Sequence, residues 1–266
     1  MAAVETLGDH LREWRRRRRL SQLDLACEAE ISTRHLSFIE TGRSTPSRDM
    51  VLRLAERLDV PLRERNVLLV AAGHAPAFAE RSLDEPALHN ARKAVDLVLA
   101  GHEPYPALAV DRHWTLVAAN AAVKPLIAEA APELLQPPVN VLRLSLHPLG
   151  LAPRIANLKQ WRTHLLDRLR RQIEVSGDAV LEKLFAELRA YPTPTNVRAM
   201  MPMSSADYGD VLIPFQLATA AGVLSFFSTT TIFGTPLDVT LSELALESFF
   251  PADAATAAVL GPRGPA

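Results

Sequence analysis

The chain has 266 residues, enough for about two domains at roughly 100–200 residues each. Hydrophobic residues make up 48% and charged ones 22%, which excludes a disordered chain, and the single cysteine, Cys27, excludes an internal disulfide framework, a cysteine-rich zinc site and a CxxC redox pair. A net charge of -1 excludes nucleic-acid binding driven by an overall basic excess, so any such binding must come from local charge.

Met1 to His10 lacks a basic start followed by an apolar core, so no secretory signal is expected and a cytoplasmic location is the reading. Residues 1–75 hold 13 arginines, no lysine and 11 acidic residues, a net of +2, whereas the remainder holds 16 basic and 19 acidic residues, a net of -3. That asymmetry suggests that the first part meets an anionic partner.

Five short helices are expected in the first part. Leu7, Leu11 and Trp14 form an apolar stripe on a helix of about 4–19. Ser21 to Asp24 reads as a capping box opening a helix of about 21–28, and Ser32 caps a third of about 32–41 that Gly42 ends. A fourth begins near Ser47, and a fifth starts at Pro61 and stops at Gly73. Arg15 to Arg19 read as a solvated helix end, with one or two side chains reaching phosphate as the alternative.

After a linker and connecting helix over 76–104 the pattern changes. Pro106 to Val110 and Trp114 to Val117 read as two strands around a tight turn, with Asn120 capping a helix of about 120–130. Leu158, Trp161 and Leu165, then Leu181, Leu184 and Leu188, mark helices of about 152–174 and 178–190. Val211 to Leu237 contains no charge, but Pro214, Gln216, Gly234 and a run of Ser and Thr interrupt it. It therefore reads as two buried strands, 211–219 and 223–233 around a turn at Ala221-Gly222, and not as a membrane span. Residues 240–250 carry both a capping-box pattern, Thr240 to Glu243, and strand-forming residues; strand is the preferred reading because a third strand covers an edge that the hairpin leaves open.

Two short capped helices about four residues apart make a helix-turn-helix, whose second helix enters the DNA major groove. Ala26 and Ala29 fall where the helices cross, and Ile31, Leu36 and Ile39 anchor the second helix. Thr33, Arg34, Ser37 and Phe38 remain on its outer face. There Arg34 can donate twice to guanine, Thr33 and Ser37 can bond bases or phosphates, and Phe38 can touch a thymine methyl. Leu20, Ser21, Gln22, Leu25, Ala26, Ala29, Ser32, Leu36, Ser37, Glu40, Gly42, Pro46 and Ser47 resemble the XRE-type, lambda-repressor-like helix-turn-helix family. The resemblance implies that Gln22, Thr41, Arg43 and Ser44 grip phosphates and adds Ser32 to the DNA-facing set. One departure is Glu30, where the family usually has glycine in a left-handed turn, at a cost of about 1 kcal/mol.

The second part resembles the MmyB-like transcription regulators through Pro106 to Trp114, Ala119-Asn120, Asn140 to Arg143, His147-Pro148, Trp161, Phe233 to Asp238 and Phe249 to Asp253. These join an XRE-type module to a PAS-like domain associated with fatty-acid-like ligands. Trp114, Asn120, Arg143, His147 and Trp161 are the candidate ligand contacts. Their alternatives are core packing for the tryptophans, a helix cap for Asn120 and a turn for His147; Arg143 can meet a carboxylate bidentately.

Enzyme chemistry finds little support. No GxSxG, HExxH, Walker A or GxGxxG occurs, the eight histidines are never closer than 11 residues, and Cys27 reads as a small packing residue. The expectation is an all-α helix-turn-helix domain over 1–75 and an α+β PAS-like domain with an antiparallel sheet over 105–260. No metal or cofactor is expected beyond an apolar ligand, and no membrane. The expected partner is double-stranded DNA with a pseudo-palindromic operator, bound as a homodimer; a second domain serving only docking or dimerisation is the alternative.

Overall fold

The computed structural model describes residues 5–192 and 212–261, which form two compact units. The first contains α1 (Leu7–Arg17), α2 (Gln22–Glu28), α3 (Thr33–Glu40), α4 (Arg48–Arg57) and α5 (Leu62–Ala71). Local chemistry sets their starts. Thr6 with Asp9 and Ser21 with Asp24 form reciprocal capping boxes, while Ser32 and Ser47 accept from the backbone N–H of His35 and Met50. Pro61 precedes α5 without a side-chain cap. Leu11, Leu25, Leu36, Leu54, Leu58 and Leu68, all fully buried, fill the centre.

Two backbone features shape this unit. A Cβ built on Gly8 of α1 would lie 2.2 Å from the Glu40 carbonyl oxygen, so glycine permits α1 to touch the end of α3. Between α2 and α3, Glu30 adopts the left-handed φ of 56° that the resemblance implies for a glycine position, and Ile31 N–H reaches back to the Ala26 carbonyl at 2.9 Å. Glu30→Gly is therefore expected to stabilise this unit by about 0.5–1 kcal/mol, as relief of the Cβ clash outweighs the added chain entropy. A lower denaturation midpoint for Glu30→Gly would show that Glu30 is not strained.

The second unit opens with a 3-10 turn, Pro86–Leu88, leading into α6 (His89–Gly101). Next come β1 (Ala107–Val110), β2 (Leu116–Ala119), α7 (Val123–Ile127), α8 (Val141–Leu146), α9 (Leu158–Ser176) and α10 (Ala179–Ala190). β3 (Phe215–Thr219), β4 (Gly222–Ile232), α11 (Val239–Ser242), β5 (Ala245–Pro251) and α12 (Ala254–Leu260) complete the order. α11 lies in Thr235–Ser242, a segment that belongs to the first unit, where Val239 N–H donates to the Ala79 carbonyl at 2.8 Å.

The five strands form one curled antiparallel sheet in the order β2-β1-β5-β4-β3. The expected hairpin is present as β3 and β4 turning through Gly222 at φ 115°; Val211 lies outside the described residues. Residues 240–250 divide: the cap-like start ends a short helix, and the strand follows from Ala245. β5 covers the edge of β4, as expected, and also joins it to β1.

Two local expectations fail. α7 starts at Val123 without a side-chain cap, and Asn120 instead accepts from Ala107 N–H and donates to the Leu99 and Tyr105 carbonyls. One buried amide serves three backbone groups there, and that tertiary demand overrides capping. Cys27, expected as a packing residue, is exposed.

Candidate nucleic-acid interface and ligand cavity

α3 buries Leu36, Ile39 and Glu40 and turns its other side outward. Arg34 is exposed; Thr33, Ser37 and Phe38 are half-buried. The Arg34 guanidinium carbon stands 5.3 Å from the centre of the Phe38 ring, one turn further along the helix, which orders a long cationic side chain on the open face. After the helix, Gly42 takes a left-handed φ of 72°, and the N–H groups of Arg43 and Ser44 both return to the Phe38 carbonyl at 2.8 and 3.1 Å. Arg43 and Thr41 remain exposed, and the Thr41 hydroxyl donates to the Ser37 carbonyl at 2.7 Å.

Behind this face lies a buried carboxylate to which the sequence reading gave no role. Glu40, 1% exposed, accepts from Arg15 Nε at 2.7 Å, Arg15 Nη2 at 3.0 Å and Gln22 Nε2 at 2.8 Å. α1 and α2 are thereby tied to the last turn of α3, and the bonded carboxylate raises the Arg15 pKa. Gln22, a phosphate candidate, thus makes an intramolecular bond at the start of α2. Most of the arginine run is also engaged: Arg17 donates to Glu13, Arg18 to the carbonyls of Leu58 and Asp59, and both lie over the Trp14 ring.

The second unit holds an apolar cavity of about 110 Å³ between α9 and one face of the sheet. One water needs roughly 10–15 Å³, so this is more than a packing defect. Strand alternation builds its floor. Leu108, Glu247 with Phe249, Phe226 with Ser228, and Phe215 project from β1, β5, β4 and β3 onto that face. Trp161, Leu165 and Arg168, at i, i+4 and i+7 along α9, form the roof. Phe215 packs 5.0 Å from Trp161 and 6.1 Å from Phe249, between ring centres.

Of the five ligand candidates, the structure brings Trp114 and Trp161 to the cavity wall. Each indole N–H is satisfied, Trp114 by Gln172 Oε1 at 2.8 Å and Trp161 by Ser145 Oγ at 3.0 Å. Trp114 holds φ 65°, an uncommon conformation for so bulky a residue. Asn120, Arg143 and His147 are not among the residues lining the cavity. Arg143 forks onto Glu187 with both bonds at 2.8 Å, and this bonding lowers the Glu187 pKa. The His147 ring nitrogen accepts from Leu149 N–H at 3.0 Å, the geometry of a turn.

Sequence reasoning missed the polar members of the wall: Ser145, Arg168, Ser228 and Glu247. A signal existed for two of them. Arg168 continues the apolar spacing of Trp161 and Leu165, and Glu247 interrupts a strand otherwise reading Leu246, Ser248, Phe249. A charge on an inward row demands a partner, and each is the other's. Nearby, His164 stacks on Trp161, and burial, followed by the charges of Arg168 and Arg171, lowers its pKa. Among the described residues no cluster of His, Cys, Asp and Glu can hold a metal ion, and no helix is long and apolar enough to cross a membrane.

Comparison with known proteins assigns both units. Residues 6–68 match the model of a helix-turn-helix domain, and residues 91–261 match that of the MmyB-like transcription regulator ligand binding domain. A curated relative, described as an uncharacterized HTH-type transcriptional regulator RghRB from Bacillus subtilis (strain 168), is 43% identical over 78 residues, or 29% of this chain. The match spans 54% of that relative's length.

Proposed function

The chain belongs to the MmyB-like transcription regulators, with a helix-turn-helix DNA-binding domain ahead of a ligand-binding domain, and on that premise we propose that α3 reads operator sequence while the cavity senses an apolar ligand. The observation that carries the reading is the open face of α3, where Arg34 stands exposed and braced on Phe38 above a fully buried Leu36. Arg34 meets guanine, with Thr33, Ser37 and Phe38 beside it. Gln22, Ser32, Thr41, Arg43 and Ser44 set register on the phosphates. A homodimer on a pseudo-palindromic operator presents two such helices about 34–36 Å apart on one side of the duplex. This is work for the cytoplasm, where the operator is.

In the second unit, a PAS-like sensor, a mostly apolar wall with aromatic rings suits the acyl chain of the fatty-acid-like ligands that the resemblance implies, whatever group ends that chain. Binding that favours one arrangement of the paired modules shifts their population and, by linkage, the operator affinity. Operator affinity that stays the same whichever lipid is bound would reject the sensing half.

Base and phosphate roles separate by mutation. Arg34→Ala is expected to cost about 1–3 kcal/mol at one base position, whereas Arg43→Ala weakens every sequence alike and lowers the salt slope by about one. Binding titrations on an operator and its single-base variants at several salt concentrations make the comparison. An equal loss on every operator from Arg34→Ala would make it a phosphate clamp.

A further inference from the structure

The polar end of the cavity is already neutralised from within. Arg168 and Glu247 are the only charged residues among the described cavity-lining residues, and they face each other. Glu247, 4% exposed, accepts from both terminal nitrogens of Arg168, Nη1 lying 3.1 Å from Oε2. The Thr230 hydroxyl, directly across from Glu247 in the β4–β5 register, adds a third bond to the carboxylate at 3.0 Å and accepts from Arg168 Nη2 at 2.9 Å. On its other side the guanidinium covers the Trp114 ring, 4.6 Å from its centre. The cation therefore has a carboxylate, a hydroxyl and an aromatic face as partners before any ligand arrives.

We infer that the apolar ligand of this cavity carries an uncharged oxygen-bearing end, an alcohol, ester or amide, rather than a free carboxylate. The inference rests on the apolar-ligand reading above and narrows it. An entering carboxylate meets no uncompensated cation, leaves the site with one negative charge in excess, and loses its hydration in an apolar chamber. A neutral end carries no such penalty. Two hydroxyls at the wall suit it: Ser145, which accepts from Trp161 and keeps its own proton to donate, and Ser228, which has no hydrogen-bond partner among the described residues.

The test uses the full chain, with the neutral fluorophore N-phenyl-1-naphthylamine as displaceable probe at pH 8. Dodecan-1-ol, methyl dodecanoate and dodecanoate compete below their aggregation thresholds. The alcohol or the ester is expected to displace the probe at least about tenfold more tightly than the carboxylate, a modest fraction of the cost of an unpaired buried charge. In Glu247→Gln, which frees the Arg168 charge, dodecanoate is expected to gain about tenfold relative to the alcohol measured in the same variant. Dodecanoate binding the unaltered protein as tightly as the alcohol or more so overturns the inference and leaves the apolar-ligand reading intact. Failure of all three to displace the probe overturns both. The comparison on the unaltered protein decides the matter even if Glu247→Gln does not fold.

Discussion

Glu40→Ala is expected to cost the helix-turn-helix unit about 3–5 kcal/mol, because it leaves Arg15 half-buried with its principal partner gone. Folded domains hold about 5–15 kcal/mol in total, so the unit would be close to unfolded at physiological temperature. Gln22 loses a bond in the same event, and the last turn of α3 loses its tie to α1 and α2. Operator binding should therefore fail together with thermal stability. The double change Arg15→Met with Glu40→Met is expected to recover much of the loss, since removing both charges also removes their desolvation cost. Chemical denaturation followed by circular dichroism measures both variants. A loss below about 1 kcal/mol for Glu40→Ala would mean that Arg15 simply rehydrates.

Gly8→Ala sets two opposed effects against each other. Within an isolated helix, alanine is better than glycine by about 1 kcal/mol. Here the added Cβ would stand 2.2 Å from the Glu40 carbonyl oxygen and 2.7 Å from its carbon. Both are backbone atoms at the end of α3, so no rotamer change relieves the clash and the helices must part. Overpacking of this kind costs about 1–3 kcal/mol even where side chains can yield. Because backbone cannot yield, the cost falls at the top of that range, and against the helix gain a net loss of about 2 kcal/mol is expected, roughly a ten-degree fall in Tm for a domain of this size. An unchanged or raised Tm would show that α1 slides along α3 without penalty. Because Gly8 and Glu40 touch, the two losses should not add.

The helix-turn-helix was legible because its signals are local. Ser21 with Asp24, Ser32, Ser47 and Pro61 each act within one helical turn, and each element begins where they place it. The bond network of Glu40 was not legible, since Arg15 lies 25 residues away and nothing near either residue announces the pairing. The same contrast runs through the second unit. The β3–β4 hairpin follows from a glycine turn between apolar runs, but the position of β5 between β1 and β4 depends on chain segments more than a hundred residues apart. Asn120 carries a true polar signal, but its place before a helix points to a cap, whereas three distant backbone groups claim its amide. The tryptophans could be anticipated at the cavity; that Arg168 and Glu247 cancel inside it required the α9–sheet packing to be seen.

The placement of the tryptophans has a practical consequence. The chain has three, of which Trp114 and Trp161 wall the cavity while Trp14 is buried in the first unit. Indole emission responds to neighbouring polarity, so occupancy of the chamber should be visible in the protein's own light, with Trp14 as a steady background and no label attached.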